Sequence, residues 1–127
     1  MQSTLLVFFG GGLGATLRYG FNLATQRLLG TNLPWGIFAI NVLGSLVMGL
    51  VAGWLAPRAG EAFAAPARLL LMTGILGGFT TFSAFSLDAV SLWERGESAN
   101  ALAYVLGSVV LSIAALALGL IVARQWT

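Results

Sequence analysis

Hydroxyl, amide and phenyl side chains, rather than acids or bases, are the groups of this sequence that could carry out chemistry. The stretch LGGFTTFSAFSLD, residues 76–88, places Thr81, Phe82, Ser83 and Phe85 between two apolar flanks. The chain has no histidine and no cysteine, which removes the usual general base, thiolate chemistry and disulfides. Phenyl rings have a positive edge that can contact a small anion. The sequence therefore points to ion recognition rather than to an enzyme.

Further polar side chains interrupt the apolar segments elsewhere in the chain. Tyr104, Ser108 and Ser112 are spaced four residues apart, which places three hydroxyls on one stripe of a helix. Isolated serines often bond to their own i−4 carbonyls, but three hydroxyls in register favour one wall of a polar track. Asn41 is the single amide deep in its segment, where an interhelical hydrogen bond and donation to an anion are both open to it.

Arg18 stands in the middle of the first apolar segment. A charge at bilayer depth costs ~2.5–3.5 kcal/mol on insertion scales, so its guanidinium must face protein, water or a counter-ion. Three environments remain open: the carbonyls of a neighbouring helix, the carboxylate of Asp88, or an anion drawn into a vestibule.

Four apolar segments must position these side chains. They run near residues 4–29, 35–56, 68–92 and 99–123, and each is as long as the ~20 residues that a helix needs to cross a bilayer. The chain is 58% hydrophobic and 8% charged, whereas a soluble domain carries about 25% charged residues. The sequence predicts an all-α membrane protein in which residues 1–127 form a single domain of four transmembrane helices.

The glycines predict close helix packing and one helix break. Small residues four positions apart let two helix backbones approach closely in a membrane. Three such pairs occur, namely Gly10 and Gly14, Gly49 and Gly53, and Gly74 and Gly78. Gly77 and Gly78 also form helix poorly, and the Thr-Thr-Phe-Ser that follows offers partners for loosened backbone groups. We therefore expect the third helix to be broken near residues 77–83, where the backbone must be buried or line a cavity.

The arginines give the chain little preference for one orientation in the membrane. Arg58, Arg68 and Arg124 lie on the side of the termini, and Arg27 and Arg95 lie on the other side. Because arginine counts in loops normally set orientation, so small a difference is compatible with insertion both ways and with an antiparallel dimer. A fixed orientation set by the one extra arginine is the alternative.

Three motifs make the sequence resemble the Fluc-type (CrcB) fluoride channels. The motifs are GGxGAxxRY at residues 11–19, PWGxxxxNxxG at 34–44 and GGFTTFSAFS at 77–86. The last is the most specific of the three, and the resemblance covers essentially the whole chain. Ala84 departs from the pattern, because we expect a small hydroxyl residue there, and one polar contact is therefore in question.

The resemblance implies passive export of toxic cytoplasmic fluoride across a bacterial inner membrane. It implies an antiparallel, dual-topology homodimer with two pores, embedded in the lipid bilayer and without a protein partner of another kind. Together with the polar stretch at the break, it gives the expected fluoride pore residues, which are Asn41, Thr81, Phe82, Ser83, Phe85, Tyr104, Ser108 and Ser112. Arg18 matches the arginine of the anion vestibule. Gly77 and Thr80 match positions whose backbone carbonyls hold a structural Na⁺ at the dimer interface.

Two other functions compete with this interpretation. A small multidrug-type, proton-coupled transporter can also have four spans and dual topology, but its chemistry requires an acid in the membrane. The first span has Arg18 and no acid, which favours anions. A structural membrane subunit would leave Asn41, the hydroxyl stripe and the polar break without a common purpose.

Overall fold

The computed structural model describes all 127 residues, and they form helices and short turns without strands. Helix α1 spans Gln2–Leu29, and α2 spans Trp35–Leu55 with a 3₁₀ turn, Ala56–Arg58, at its end. Helix α3 comprises three consecutive stretches, Ala64–Ala67, Arg68–Leu76 and Gly77–Phe79, the second of which is π-helical. Helix α4 spans Phe82–Glu94 and α5 spans Ser98–Gln125. Because α3 and α4 are two halves of the third apolar segment, the chain has the four predicted helices.

The third segment begins earlier than the sequence indicated. Its helix starts at Ala64 rather than near residue 68, although Pro66 lies between them. Proline is tolerated in the first turn of a helix because the amide group it lacks has no intrahelical acceptor there. The proline therefore marks the start of this helix and not the preceding loop.

Three of the four helical segments are long and apolar enough to cross a membrane, namely Trp35–Arg58, Ala64–Glu94 and Ser98–Gln125. Helix α1 has 28 residues, so its length suffices, but it is less apolar than the other three. Its second half carries Thr16, Arg18, Asn22 and Gln26. The expectation of four apolar spans is thus confirmed for three of the segments, and the polar residues of α1 must be covered by other protein groups or by water.

Glycines form the closest contacts between helices, as their spacing predicted. A Cβ atom on Gly10 would lie 2.8 Å from the carbonyl oxygen of Leu70, and one on Gly78 would lie 2.5 Å from that of Gly11. Helices α1 and α3 therefore touch through their backbones. At the other side of the bundle, Gly49 and Gly119 bring α2 and α5 equally close.

A small apolar core fixes the position of α4. It is formed by buried side chains from α2, α4 and α5, which are Ile37, Ile40, Phe85, Leu92, Ala101 and Tyr104. The outer surface of the bundle is rich in exposed leucine, valine and phenylalanine. This distribution suits a bundle surrounded by lipid, because no hydrophobic penalty attaches to apolar side chains there.

Candidate functional site

The break in the third segment is two residues long. Helix α3 ends at Phe79, Thr80 and Thr81 are extended, and α4 begins at Phe82. The backbone angles are φ −77° and ψ 156° for Thr80, and φ −154° and ψ 119° for Thr81. The break expected near residues 77–83 is thus confirmed, and the structure confines it to the two threonines.

All four backbone polar groups of Thr80 and Thr81 have partners within the chain. The Thr80 N–H donates to the Leu76 carbonyl at 3.0 Å, and the Thr80 carbonyl accepts from Arg18 Nη1 at 3.2 Å. The Thr81 N–H donates to Asn41 Oδ1 at 2.8 Å, and the Thr81 carbonyl accepts from Asn41 Nδ2 at 3.0 Å. Non-helical backbone at membrane depth requires such complete pairing, and side chains from α1 and α2 provide most of it.

These contacts answer two questions that the residues alone left open. Arg18 caps a carbonyl at the end of a neighbouring helix and does not pair with Asp88, which instead accepts a hydrogen bond from Tyr104 Oη at 3.3 Å. Asn41 forms interhelical hydrogen bonds with the break. One N–H of its amide remains beyond those two bonds, because the side chain has two donor hydrogens and one acceptor oxygen.

The side chain of Thr81 starts α4. Thr81 Oγ1 accepts a hydrogen bond from the Ala84 N–H at 3.1 Å, as a helix N-cap does, and it lies 3.2 Å from Ser83 Oγ. Ala84 thus contributes its backbone amide to the cap, which any residue type can do. Its departure from the expected hydroxyl leaves this part of the site intact.

A groove of about 360 Å³ lies beside the break, between α2 and α5. It brings together six of the eight expected pore residues, and its lining is Asn41, Ser45, Thr80, Thr81, Phe82, Phe85, Ser108, Val109, Ser112 and Ile113. Ser83 lies outside this groove and lines a separate cleft. Tyr104 also lies outside the groove, with its ring centroid 5.3 Å from that of Phe85.

Two hydroxyls of the groove have no hydrogen-bond partner in the chain. The side-chain oxygens of Ser108 and Ser112 are buried and unpaired, whereas Thr16, Thr25 and Ser86 bond to their own i−4 carbonyls. Buried polar groups in native proteins nearly always have partners. Two neighbouring exceptions on one wall of a groove are therefore free to donate to a bound ion.

The two phenyl rings of the break have opposite environments. Phe85 is 8% exposed and belongs to the core, whereas Phe82 is 76% exposed at the open side of the groove. Their ring centroids are 5.3 Å apart and their planes are inclined by 53°. Phe85 is therefore fixed by its neighbours, and Phe82 extends beyond the surface of the single chain.

A second cleft, of about 440 Å³, lies on the opposite side of the break. Its lining is Arg18, Asn22, Ile37, Thr81, Ser83, Ala84 and Leu87. Arg18 is the only charged residue in this lining, so the cleft has a positive group at its wall. Thr81 lines both the groove and this cleft and therefore lies between them.

Comparison with known proteins identifies the family. The family model described as CrcB-like protein, Camphor Resistance (CrcB), matches residues 5–120. This chain belongs to the CrcB family. It is 58% identical to the fluoride-specific ion channel FluC of Rhodopseudomonas palustris and 56% identical to FluC 2 of Nitrobacter hamburgensis, in both cases over 97% of this chain and 98% of the relative. It is also 56% identical to FluC of Methylobacterium nodulans over 99% of both chains.

Ser45 is a groove residue that the sequence reasoning missed. It lies one helical turn after Asn41 on α2 and faces the same groove. The signal that would have found it is the i, i+4 spacing of Asn41 and Ser45, which matches that of Ser108 and Ser112 on α5. In this CrcB chain, polar side chains four residues apart thus line the groove from two helices.

The backbone at the break contains the carbonyls expected to bind Na⁺. A continuous helix would give the Thr81 N–H to the Gly77 carbonyl, but that N–H donates to Asn41 Oδ1 instead, which releases the Gly77 oxygen from this bond. The Thr80 carbonyl already accepts from Arg18. No cluster of three or more acidic, histidine or cysteine side chains is present, so a metal ion at the break would depend on carbonyl oxygens.

Proposed function

We propose that this chain forms a fluoride-selective channel that lets toxic cytoplasmic fluoride leave a bacterial cell passively through the inner membrane. The observation that carries the proposal is the groove at the helix break, where the unpaired hydroxyls of Ser108 and Ser112 lie on one wall. The relatives named fluoride-specific ion channels support it, because they are similar over nearly the whole chain.

The lining of the groove suits a small, strongly hydrated anion. Such an ion passes only if the pore replaces its water with hydrogen-bond donors and still releases it. Serine hydroxyls, the remaining N–H of Asn41 and the positive edges of Phe82 and Phe85 are neutral or weakly polar donors. A full positive charge in the groove would hold the anion too tightly, and the lining contains none. Tyr104 and Ser83 lie just beyond the groove and would extend the polar path.

A second, antiparallel copy would complete the pore. The groove is open on the side of Phe82, and α4 exposes Leu87, Val90 and Trp93 as well. Lipid would cover that apolar strip, but the polar lining of an open groove at membrane depth needs protein or water, which a second copy would provide. The similar arginine counts at the two ends permit both orientations. Two copies related in this way would form two equivalent pores, each near Phe82 and Phe85.

We place a structural Na⁺ at the dimer interface, with the carbonyls of Gly77 and Thr80 from each copy as its ligands. The release of the Gly77 oxygen by the break supports this assignment. When bound, the ion would supply a fixed positive charge close to the pores. Because the Thr80 carbonyl accepts from Arg18, a cation bound there would have to share this oxygen with the guanidinium or displace it.

Fluoride efflux from liposomes tests the proposed function. Vesicles carrying the purified protein are loaded with fluoride or with chloride, an added potassium ionophore balances charge, and electrodes record release. We expect ionophore-dependent fluoride efflux without chloride efflux. Phe82→Ile should slow fluoride efflux at least tenfold, a loss of about 1.4 kcal/mol, because its ring edge is lost.

Phe8→Ile is the matched control, since Phe8 is 71% exposed on α1 and Phe82 is 76% exposed on α4. This variant should release fluoride as fast as the wild type. Release of chloride as fast as fluoride by the wild type would contradict selectivity. Release of neither ion by a folded dimer would contradict the channel.

A further inference from the structure

The side-chain amide of Asn41 pairs with a whole residue of the break. Its oxygen accepts the Thr81 N–H at 2.8 Å, and its nitrogen donates to the Thr81 carbonyl at 3.0 Å. This is the two-bond pattern by which residues of neighbouring strands pair, formed here by one side chain. Both bonds cross from α2 to Thr81, the one residue that lines both the groove and the second cleft.

Without these two bonds the extended conformation of Thr81 would lose its support. Two part-buried backbone groups beside the groove would be left unpaired, and each lost hydrogen bond costs about 1–1.5 kcal/mol. The nearest alternative for the Thr81 N–H is the Gly77 carbonyl of a continuous helix. If Thr80 and Thr81 became helical, the side chains from Phe82 onward would point in different directions, because successive residues of a helix are rotated by about 100° about its axis.

Thr81 also determines where the phenyl rings and Ser83 lie. Its hydroxyl caps α4 by accepting from the Ala84 N–H, and Phe82 follows it directly. A change in the backbone of Thr81 therefore displaces Phe82 and the N-terminus of α4 together. The position of the pore lining thus depends on the Asn41–Thr81 pair.

We propose that Asn41 is a positioning residue, which governs fluoride passage by holding the backbone of Thr81 extended rather than chiefly by touching the ion. The proposal rests on the channel function proposed above and specifies how one residue of its site acts. It predicts that removing the Thr81 N–H, with Asn41 untouched, slows fluoride passage, and that removing the Asn41 amide, which takes away both bonds, slows it at least as much.

Replacing the amide N–H of Thr81 by an ester oxygen tests this directly. The α-hydroxy analogue of threonine is incorporated at residue 81, and fluoride efflux from liposomes is compared with that of Asn41→Ala and of the two changes combined. A lost hydrogen bond of about 1–1.5 kcal/mol corresponds to roughly tenfold. We expect the ester to slow efflux about tenfold, Asn41→Ala to slow it at least as much, and the combination to slow it no more than Asn41→Ala alone.

The same analogue at Thr25 is the matched control, because Thr25 lies within α1, is half-buried and lines neither the groove nor the second cleft. That protein should release fluoride at the wild-type rate. Normal efflux from the Thr81 ester would overturn the proposal, and so would a combined loss of about a hundredfold, which independent actions would give. Absence of efflux from the wild type would count against the channel itself.

Two side-chain variants decide the matter even if the ester does not fold. Asn41→Ser is too short to span both bonds but still offers a hydroxyl to the groove, whereas Asn41→Ala offers neither. Positioning therefore predicts equally slow fluoride efflux for the two variants. Direct contact with the ion predicts faster efflux for Asn41→Ser, because a hydroxyl donates to an anion. Clearly faster efflux from Asn41→Ser than from Asn41→Ala would overturn the proposal.

Discussion

The polar residues around the break divide into those that stabilise the fold and those that are free to bind an ion. Asn41 and Arg18 use their donors on the backbone of the break, whereas Ser108 and Ser112 have no partner. A buried hydroxyl without a partner costs about 1–3 kcal/mol of desolvation. Such a cost is typical of a functional site, where a polar group is kept ready for a ligand.

Ser108→Ala is expected to separate stability from transport. Removing an unpaired hydroxyl should leave the free energy of unfolding unchanged or raise it by about 1 kcal/mol, because no hydrogen bond is lost. Fluoride efflux should fall several-fold, because a donor to the ion is lost. Unfolding in detergent and efflux from liposomes measure the two effects on the same preparation.

The control for this variant is Ser86→Ala, since the Ser86 hydroxyl bonds to the Phe82 carbonyl and is outside the groove. Efflux from it should match the wild type. A large loss of stability in Ser108→Ala would mean that its hydroxyl has a structural partner and is not available to the ion.

Features that depend on neighbouring residues, such as helix packing by glycines and the helix break, were easier to predict than contacts between residues far apart in the sequence. The glycine pairs and the Gly-Gly-Phe-Thr-Thr run predicted close packing and a break, because both follow from local backbone preferences. The location of the break at Thr80 and Thr81 depends on Arg18 and Asn41, which lie 62 and 40 residues away. No local pattern encodes those partners, so the sequence left the roles of both residues open.

The contact between α1 and α3 gives a prediction at the scale of elements. A Cβ atom on Gly14 would overlap the Ile75 carbonyl oxygen and lie 2.8 Å from the Phe79 amide nitrogen. Gly14→Ala should therefore lower the free energy of unfolding by about 1–3 kcal/mol, as overpacking does. It should also reduce fluoride efflux, because it separates α1 from the end of α3, where Arg18 caps Thr80.

Gly12→Ala is its matched control, because a Cβ on Gly12 meets nothing within 4 Å. Alanine favours helix over glycine by about 0.5–1 kcal/mol, so this variant should be as stable as the wild type or more so. Both are measured by unfolding in detergent. Equal destabilisation by the two substitutions would show that the contact between α1 and α3 is not what Gly14 provides.

At the scale of the molecule, the two ends of the bundle carry similar numbers of arginines. The turn between α4 and α5 is joined to the turn between α1 and α2, because Arg95 Nη2 donates to the Asn32 carbonyl at 3.1 Å and pairs with Glu97 at 2.8 Å. Arg27 lies at this end too, and Arg58, Arg68 and Arg124 lie at the opposite end. An antiparallel pair needs both orientations, so a strong charge difference should abolish it.

Paired charge variants test the antiparallel assembly. Gln2→Arg with Arg27→Gln increases the excess of arginine at the end with the termini, whereas Thr31→Arg with Arg68→Gln and Arg124→Gln reverses it. Because arginines near a membrane surface stay on the cytoplasmic side, each protein alone should insert in one orientation and give little fluoride efflux. The two expressed together should restore efflux, since opposite orientations can again pair. Undiminished efflux from each protein alone would contradict an antiparallel pore and favour a channel whose copies share one orientation.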